Sequence, residues 1–169
     1  MAADPRSRPD RRRILGYPAS SRRGKIPPGK SEREDGMAES ELYRKGAAMR
    51  RQLMGDAAVE KSSREIYSDP VMKKFIDVAT ETVFGALWTR PGIDVKLRAL
   101  ICVISDTCMG REPELELHLR MALRQGWTED ELIEVLLHLS GYIGVPIIRE
   151  SMLVASKVFR EFREEQAAE

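Results

Sequence analysis

Residues 94–126 read DVKLRALICVISDTCMGREPELELHLRMALRQG, and this stretch specifies a pair of helices. Asp94 is a good N-cap residue and Gly110 is a typical helix stop, so we predict a helix over about 94–109. A second helix covers about 112–125 and ends at Gly126, and the short turn makes the two helices antiparallel neighbours. The apolar residues that we expect to face inward on the first helix are Leu97, Leu100, Ile101, Ile104 and Cys108.

Upstream of this pair, apolar residues also recur at helical intervals. One helix covers about 39–54 and ends at Gly55, and a second begins at Pro70 and continues to about Leu87. Both helices look too amphipathic to stand unpaired, so we expect the chain to form a homo-oligomer. The apolar positions of the second helix are Val71, Phe75, Val78, Val83 and Leu87.

Downstream, residues 128–131 contain a capping box in which Thr128 and Glu131 satisfy each other's free amides. The helix that it opens ends near Gly141, and a last helix covers about 146–162. No alternating strand pattern, heptad array or repeat interrupts this order. The sequence therefore predicts an all-α bundle of about six helices in one domain, residues 37–169.

Residues 1–36 differ from the rest of the chain. They hold ten Lys or Arg and five Asp or Glu and show no hydrophobic period, so we predict a disordered basic tail. Such a tail is a non-functional extension, a transient arm for nucleic acid or an anionic surface, or a transit peptide. Because the first helical pattern follows Met37, we hypothesise that translation starts there, which N-terminal mass analysis of the native protein would test.

The composition excludes several classes of protein. Outside the tail, Asp and Glu outnumber Lys and Arg, which argues against a nucleic-acid-binding module. The sequence contains no run of about 18 apolar residues, so no membrane span is predicted. It also has no apolar core near the N-terminus, so no secretory signal is predicted. Cys102 and Cys108 lack C-x-x-C spacing and are too close for a disulfide framework, so a reducing, cytoplasmic setting is expected.

His118 is the first candidate for chemistry. It shares a helix face with Leu115, Leu119 and Ala122, so its imidazole is expected to point inward among aliphatic side chains. A buried histidine of this kind is either a core residue with a backbone hydrogen bond or a group poised for proton transfer near neutral pH.

Two arginines are candidates for holding a carboxylate through paired hydrogen bonds. Arg98 falls on the same face of its helix as Cys102 and Ser105, away from the leucine stripe. Arg120 lies two positions beyond His118, about 200° around the helix, so both cannot enter one pocket of the same subunit. The alternative for either arginine is a surface salt bridge.

His138 is the second histidine, and it forms one helix stripe with Glu134 and Tyr142. A glutamate one turn before a histidine can orient the imidazole and raise its basicity. This stripe is otherwise a polar helix face or a subunit contact. The chain contains no zinc-protease, serine-hydrolase, P-loop or dinucleotide-binding motif, which removes those classes of enzyme.

Several short segments follow one another at characteristic spacing, namely Leu87–Asp94, Arg98, Gly110–Leu115, His118–Arg120 and Gly141–Pro146. Together they resemble the carboxymuconolactone decarboxylase family over about residues 40–160. The resemblance implies an all-helical fold shared with the alkyl hydroperoxidase D-like proteins, assembled as homo-trimers or homo-hexamers with pockets near subunit contacts. It also implies a cofactor-free lyase that acts on a carboxylate-bearing lactone from the degradation of aromatic compounds.

The resemblance also implies roles for the candidate residues. His118 becomes the candidate general acid or base. Arg98, with Arg90 of the preceding segment as a second candidate, is expected to bind a substrate carboxylate. Trp88 is expected to form a wall of the pocket. The remaining candidate substrate-binding residues, some of them contributed by an adjacent subunit, are Arg120, His138 and Tyr142.

Departures from the family leave two other functions open. Arg111 and Glu114 stand where the peroxidase branch has its C-x-x-C dithiol, and Ala99 stands where that branch has a proton-relay glutamate. Ile143 replaces a cysteine that is often found in the decarboxylase branch. A redox protein that uses a lone thiol is one alternative. A non-catalytic oligomer that binds ligands on the same fold is the other.

Overall fold

The computed structural model describes residues 39–168, which form seven α-helices and one π-helical segment. No strand occurs among these residues, so the predicted all-α class is confirmed. None of these helices is long and apolar enough to cross a membrane. The predicted disordered tail and the start at Met37 lie outside the described residues. The elements in chain order are α1 (Glu41–Met54), α2 (Asp56–Glu65), α3 (Pro70–Ala79), the π-helical segment (Thr80–Leu87), α4 (Val95–Met109), α5 (Glu112–Arg124), α6 (Glu129–Ile143) and α7 (Val145–Ala168).

The central helices begin and end at the residues that cap them. Asp94 accepts a hydrogen bond from the Leu97 N–H at 2.6 Å and starts α4, and Gly110 ends α4 with a left-handed φ of 64°. The capping box of α6 forms as predicted, with Thr128 and Glu131 bonded to each other's backbone amides. α4 packs most extensively against α5, which places the α4–α5 pair at the centre of the fold.

The buried face of α4 differs from the predicted stripe. Leu97 and Ile101 are 40% and 48% exposed, and Cys108 is exposed as well. α4 is apolar over most of its surface, so periodicity alone does not say which side meets the core. The face that carries the smaller side chains is the buried one, and its residues are Ala99, Leu100, Val103, Asp106 and Thr107.

The helices differ from the prediction in three further respects. α2 is additional, and Val59 is its only buried residue, so it has no apolar stripe that would reveal it. The predicted second helix is α3 followed by the π-helical segment, where the Trp88 N–H bonds to the Val83 carbonyl five residues back. α7 continues beyond the predicted end near residue 162 to Ala168.

α1 and the π-helical segment meet backbone to backbone. A Cβ atom at Gly46 would lie 1.8 Å from the Thr80 carbonyl oxygen, and one at Gly85 would lie 2.2 Å from the Leu42 carbonyl oxygen. Both distances are far inside van der Waals contact, so only glycine fits at either position. These two glycines therefore set how closely the two elements approach.

α3 leaves a row of large apolar side chains exposed. Val71, Phe75 and Val78 are each more than half exposed, and we refer to them as the α3 apolar face. Val83 and Leu87 continue the exposed apolar surface along the π-helical segment. Contiguous apolar surface of this kind is typical of interaction sites in soluble proteins.

Candidate active site

A histidine–aspartate pair joins α4 to α5. The Nδ1 atom of His118 lies 2.5 Å from the Oδ2 atom of Asp106, and the two side chains are 21% and 10% exposed. Asp106 reaches this position because it lies on the buried face of α4, close to the turn into α5. His118 therefore contacts a carboxylate, whereas the sequence predicted only aliphatic neighbours for it.

The geometry of the pair suits proton transfer through the Nε2 atom of His118. A carboxylate only accepts hydrogen bonds, so Nδ1 of His118 carries the hydrogen that Asp106 receives. This contact orients the ring, selects its tautomer and leaves Nε2 to exchange a proton with a bound molecule. The sequence carried one signal for Asp106, a lone acidic residue within the otherwise largely apolar run ICVISDTC at 101–108.

A cavity of about 240 Å³ lies beside Asp106, between α4, the start of α5 and α7. Its charged lining residues are Asp106, Arg111, Glu112 and Glu150. Arg111 is paired with Glu114 at 2.6 Å and Glu150 with Arg149 at 2.8 Å, so the remaining lining charges, Asp106 and Glu112, are negative. In the single chain, this cavity therefore disfavours an anionic ligand.

Arg98 lies in a different cavity, of about 150 Å³, near the start of α4. Its Nη2 atom donates to the Arg90 carbonyl at 2.7 Å, and its buried Nε atom has no hydrogen-bond partner among residues 39–168. The structure brings Arg98 together with Trp88, while Arg90 contributes its carbonyl rather than its guanidinium. A guanidinium within an apolar cavity suits the carboxylate of a small molecule. The apolar residues around Arg98 are Leu87, Trp88, Ile93 and Ile101.

The histidine–aspartate pair and Arg98 are not neighbours within one chain. Asp106 lies eight residues after Arg98, which corresponds to about 12 Å along α4. Neither residue of the pair lines the Arg98 cavity, and Arg98 does not line the cavity beside Asp106. A small molecule held by Arg98 is thus about two helical turns from the acid–base pair of the same chain.

Arg120 connects α5 to α7. Its Nη1 atom donates to Glu165 at 2.8 Å, and its Nη2 atom donates to Glu161. Two carboxylates of the chain itself therefore occupy the terminal nitrogens that a substrate would need. As the helical spacing predicted, Arg120 does not share the surroundings of His118.

His138 and Tyr142 lie on an exposed side of α6. Their ring centroids are 5.2 Å apart and the rings are tilted by 48°. His138 and Glu134 line an open depression together with Ile104 and Val135, away from the two cavities described above. In the single chain this stripe is a surface feature, and only a neighbouring copy would bring it to a substrate.

Cys102 offers little thiolate. Burial is the main cause that raises the pKa of Cys102 to about 11, and the negative charge of Asp106 adds to it. Cys108 is exposed, and neither cysteine forms a disulfide. Because the thiolate is the reactive form, Cys102 is unsuited to reduce peroxides near neutral pH.

Comparison with known proteins identifies the family of the chain. The chain matches the model of the carboxymuconolactone decarboxylase family over residues 74–157, which include Trp88, Arg98, Asp106 and His118. It is 31% identical to the 4-carboxymuconolactone decarboxylase of Acinetobacter baylyi over 125 residues, which are 74% of this chain and 92% of that protein. It is 33% identical to the nitrosuccinic acid decarboxylase of Metarhizium robertsii over 122 residues, 71% of this chain and 82% of that protein. With these similarities and an all-helical fold, the chain belongs to the carboxymuconolactone decarboxylase family.

Proposed function

We propose that this decarboxylase-like enzyme removes carbon dioxide from a small lactone or dicarboxylate of the kind formed in the degradation of aromatic compounds. The observation that carries the proposal is the hydrogen bond between His118 Nδ1 and Asp106 Oδ2, which leaves Nε2 for proton transfer. Arg98, beside Trp88, is the group that would hold a carboxylate. The two relatives named above are decarboxylases, which supports the same type of reaction here.

The proposed reaction breaks one carbon–carbon bond and replaces it with a carbon–hydrogen bond. As carbon dioxide leaves, the electron pair of that bond moves into an electron-accepting group of the substrate, such as a lactone carbonyl or a nitro group. Protonated His118 then gives its Nε2 proton to carbon, and solvent restores that proton. Because the substrate contains the electron sink, the chain needs to supply only binding and a proton.

Arg98 would bind the carboxylate that stays on the substrate. A guanidinium on the leaving carboxylate would stabilise the ground state more than the transition state and so slow the reaction. A guanidinium on the other carboxylate holds the substrate in place without that cost. The apolar residues around Arg98 strengthen this contact because they lower the local dielectric constant.

We propose that the chain assembles as a homo-trimer or homo-hexamer in which Arg98 of one copy approaches His118 of another. The exposed α3 apolar face and the separation of Arg98 from His118 within one chain support this assembly. Light scattering at micromolar concentration is expected to give a multiple of the chain mass, and Phe75→Asp to reduce it, since Phe75 is 59% exposed. Leu153→Asp, which introduces the same charge at an exposed leucine of α7, is the matched control. A wild-type monomer would contradict the assembly.

The function is tested by release of carbon dioxide from a panel of small acids that includes 4-carboxymuconolactone and nitrosuccinic acid. The full chain is expected to decarboxylate at least one of them, and Arg98→Gln to raise KM by about tenfold because a charge-assisted contact is lost. Lys45→Gln, an exposed position on α1, is the control and should leave KM unchanged. Binding of a panel member without release of carbon dioxide from any of them would favour the non-catalytic ligand binder instead.

A further inference from the structure

A third cavity, of about 440 Å³, lies between α1, α2, α5 and the end of α7, and we call it the α1–α5 cavity. It shares no lining residue with the cavities beside Asp106 and Arg98. A cavity of this volume accommodates a small organic molecule. Its apolar lining residues are Met54, Ala58, Ile66, Leu117 and Met121.

Arg50 is the buried cation of the α1–α5 cavity. The residue is 7% exposed, and its Nε atom has no hydrogen-bond partner among residues 39–168. The central carbon of its guanidinium lies 5.4 Å from the ring centre of Tyr67 and 5.8 Å from that of Phe84. Burial is the main cause that lowers the pKa of Arg50, and no carboxylate among residues 39–168 counteracts it.

A buried guanidinium without a carboxylate is energetically unfavourable. It has given up much of its hydration, and the two aromatic rings return only part of that free energy. Nε is fully buried, so a carboxylate bound in the cavity would accept hydrogen bonds from the two terminal nitrogens of Arg50, in the planar two-bond geometry that guanidinium groups favour. The cavity wall therefore offers an unfilled site for an anion.

The rim of the cavity adds further positive charge. Lys61 and Arg124 line it from exposed positions on α2 and α5. Arg120 and Glu165 also line it, and because Arg120 pairs with both Glu161 and Glu165, these three side chains together carry one negative charge. Three cations, Arg50, Lys61 and Arg124, thus surround the cavity without an ion-pair partner in the described part of the chain, and their combined field attracts anions.

We propose that the α1–α5 cavity is a second ligand site, which binds a small organic anion with its carboxylate on Arg50 and its apolar body against Met54 and Leu117. Arg120 marks the separation from the acid–base pair, because it lies about 200° around α5 from His118. Arg50 also precedes residues 74–157, the segment that the family model matches. The site is therefore independent of the proposed decarboxylation centre.

The walls of the cavity select the class of ligand. Apolar side chains favour an aliphatic or aromatic body, which inorganic phosphate lacks. A cation with the same apolar body would be repelled by the positive charge of Arg50. Benzoate, inorganic phosphate and benzylamine therefore separate recognition of a carboxylate on an apolar body from recognition of charge alone or of shape alone.

Calorimetric titration of the full chain tests the site. Benzoate is expected to bind saturably, phosphate about tenfold more weakly, and benzylamine not measurably. Arg50→Gln is expected to weaken benzoate binding by about tenfold or more. Ala58→Trp fills the cavity from an exposed position of α2 and should have the same effect while the buried charge remains. Lys45→Gln, on the same helix as Arg50, is the control and should bind as wild type does.

Several results would overturn the site. These are absence of saturable benzoate binding, equal affinity for phosphate, or unchanged affinity in Arg50→Gln or, if that variant does not fold, in Ala58→Trp. Benzoate can also enter the Arg98 cavity, so binding that disappears in Arg98→Gln would place the ligand there and reject the proposal. Benzoate binding that depends on Arg50 in a chain without decarboxylase activity would reject the proposed reaction but retain this site.

Discussion

Replacement of His118 by alanine is expected to lower kcat for decarboxylation by between about a hundredfold and ten-thousandfold, the range that a positioned acid or base contributes. The imidazole is held 2.5 Å from Asp106, so the loss removes an oriented proton donor rather than a freely rotating side chain. KM should change little, because Arg98 still binds the carboxylate. Steady-state kinetics on the best substrate of the acid panel measures both constants.

Asp106→Asn tests the pair rather than the imidazole alone. Asparagine keeps the shape of the side chain but lacks the negative charge that stabilises the imidazolium from which Nε2 donates its proton. We expect kcat to fall by about tenfold to a hundredfold, as for other groups that orient a functional histidine. Asp106 is buried, so thermal unfolding of the same preparation shows whether the fold persists.

The surface variant Lys45→Gln should retain wild-type kcat and serves as the reference for both substitutions. A kcat within about twofold of wild type in His118→Ala and in Asp106→Asn would move the proton donor to another residue. A rise in KM at constant kcat would instead assign the pair to substrate binding.

Gly46→Ala is expected to lower the free energy of unfolding by about 3 kcal/mol or more, the upper range for overpacking. The new Cβ atom would lie 1.8 Å from the Thr80 carbonyl oxygen and 2.8 Å from the Gly85 nitrogen, and both of these are backbone atoms. Neither can rotate away as a flexible side chain would, so α1 must move off the π-helical segment. In thermal unfolding this corresponds to a decrease in Tm of about 10 °C.

Gly141→Ala is the matched control, because it makes the same change within a helix. No atom lies within 4 Å of a Cβ built at Gly141, and the residue is part of α6. Its Tm is expected to stay the same or to rise slightly, since alanine favours a helix over glycine by about 0.5–1 kcal/mol. Equal Tm values for Gly46→Ala and wild type would contradict the close backbone contact.

Local signals in the sequence were sufficient for most of the helix ends. Asp94 and Gly110 bound α4, and the pairing of Thr128 with Glu131 starts α6, as expected from the sequence alone. These signals act between residues three or four positions apart, so no other part of the chain is needed to read them. α2 could not be predicted in this way, because it has no side-chain cap and Val59 is its only buried residue, so it shows no apolar period.

The candidate site was predictable only in part. His118, Arg98 and Trp88 were visible in the ordered motifs of the family, but their arrangement was not. Asp106, the partner of His118, sits on a different helix, and its role follows from which face of α4 is buried. Arg50 showed no motif at all, and only its burial beside Tyr67 without a carboxylate revealed it.

The residue pattern alone was enough to establish an all-helical chain of this family and the capped ends of its central helices, and it made His118 a candidate for acid–base chemistry. Packing in three dimensions chose the buried face of α4, paired His118 with Asp106 and separated that pair from Arg98. The physical reason is the distance along the chain over which each interaction acts. Capping and helical period depend on neighbours within about one turn, whereas burial depends on the helix that packs opposite. A helix such as α4, which is apolar over most of its surface, can turn either side inward until its partner is in place.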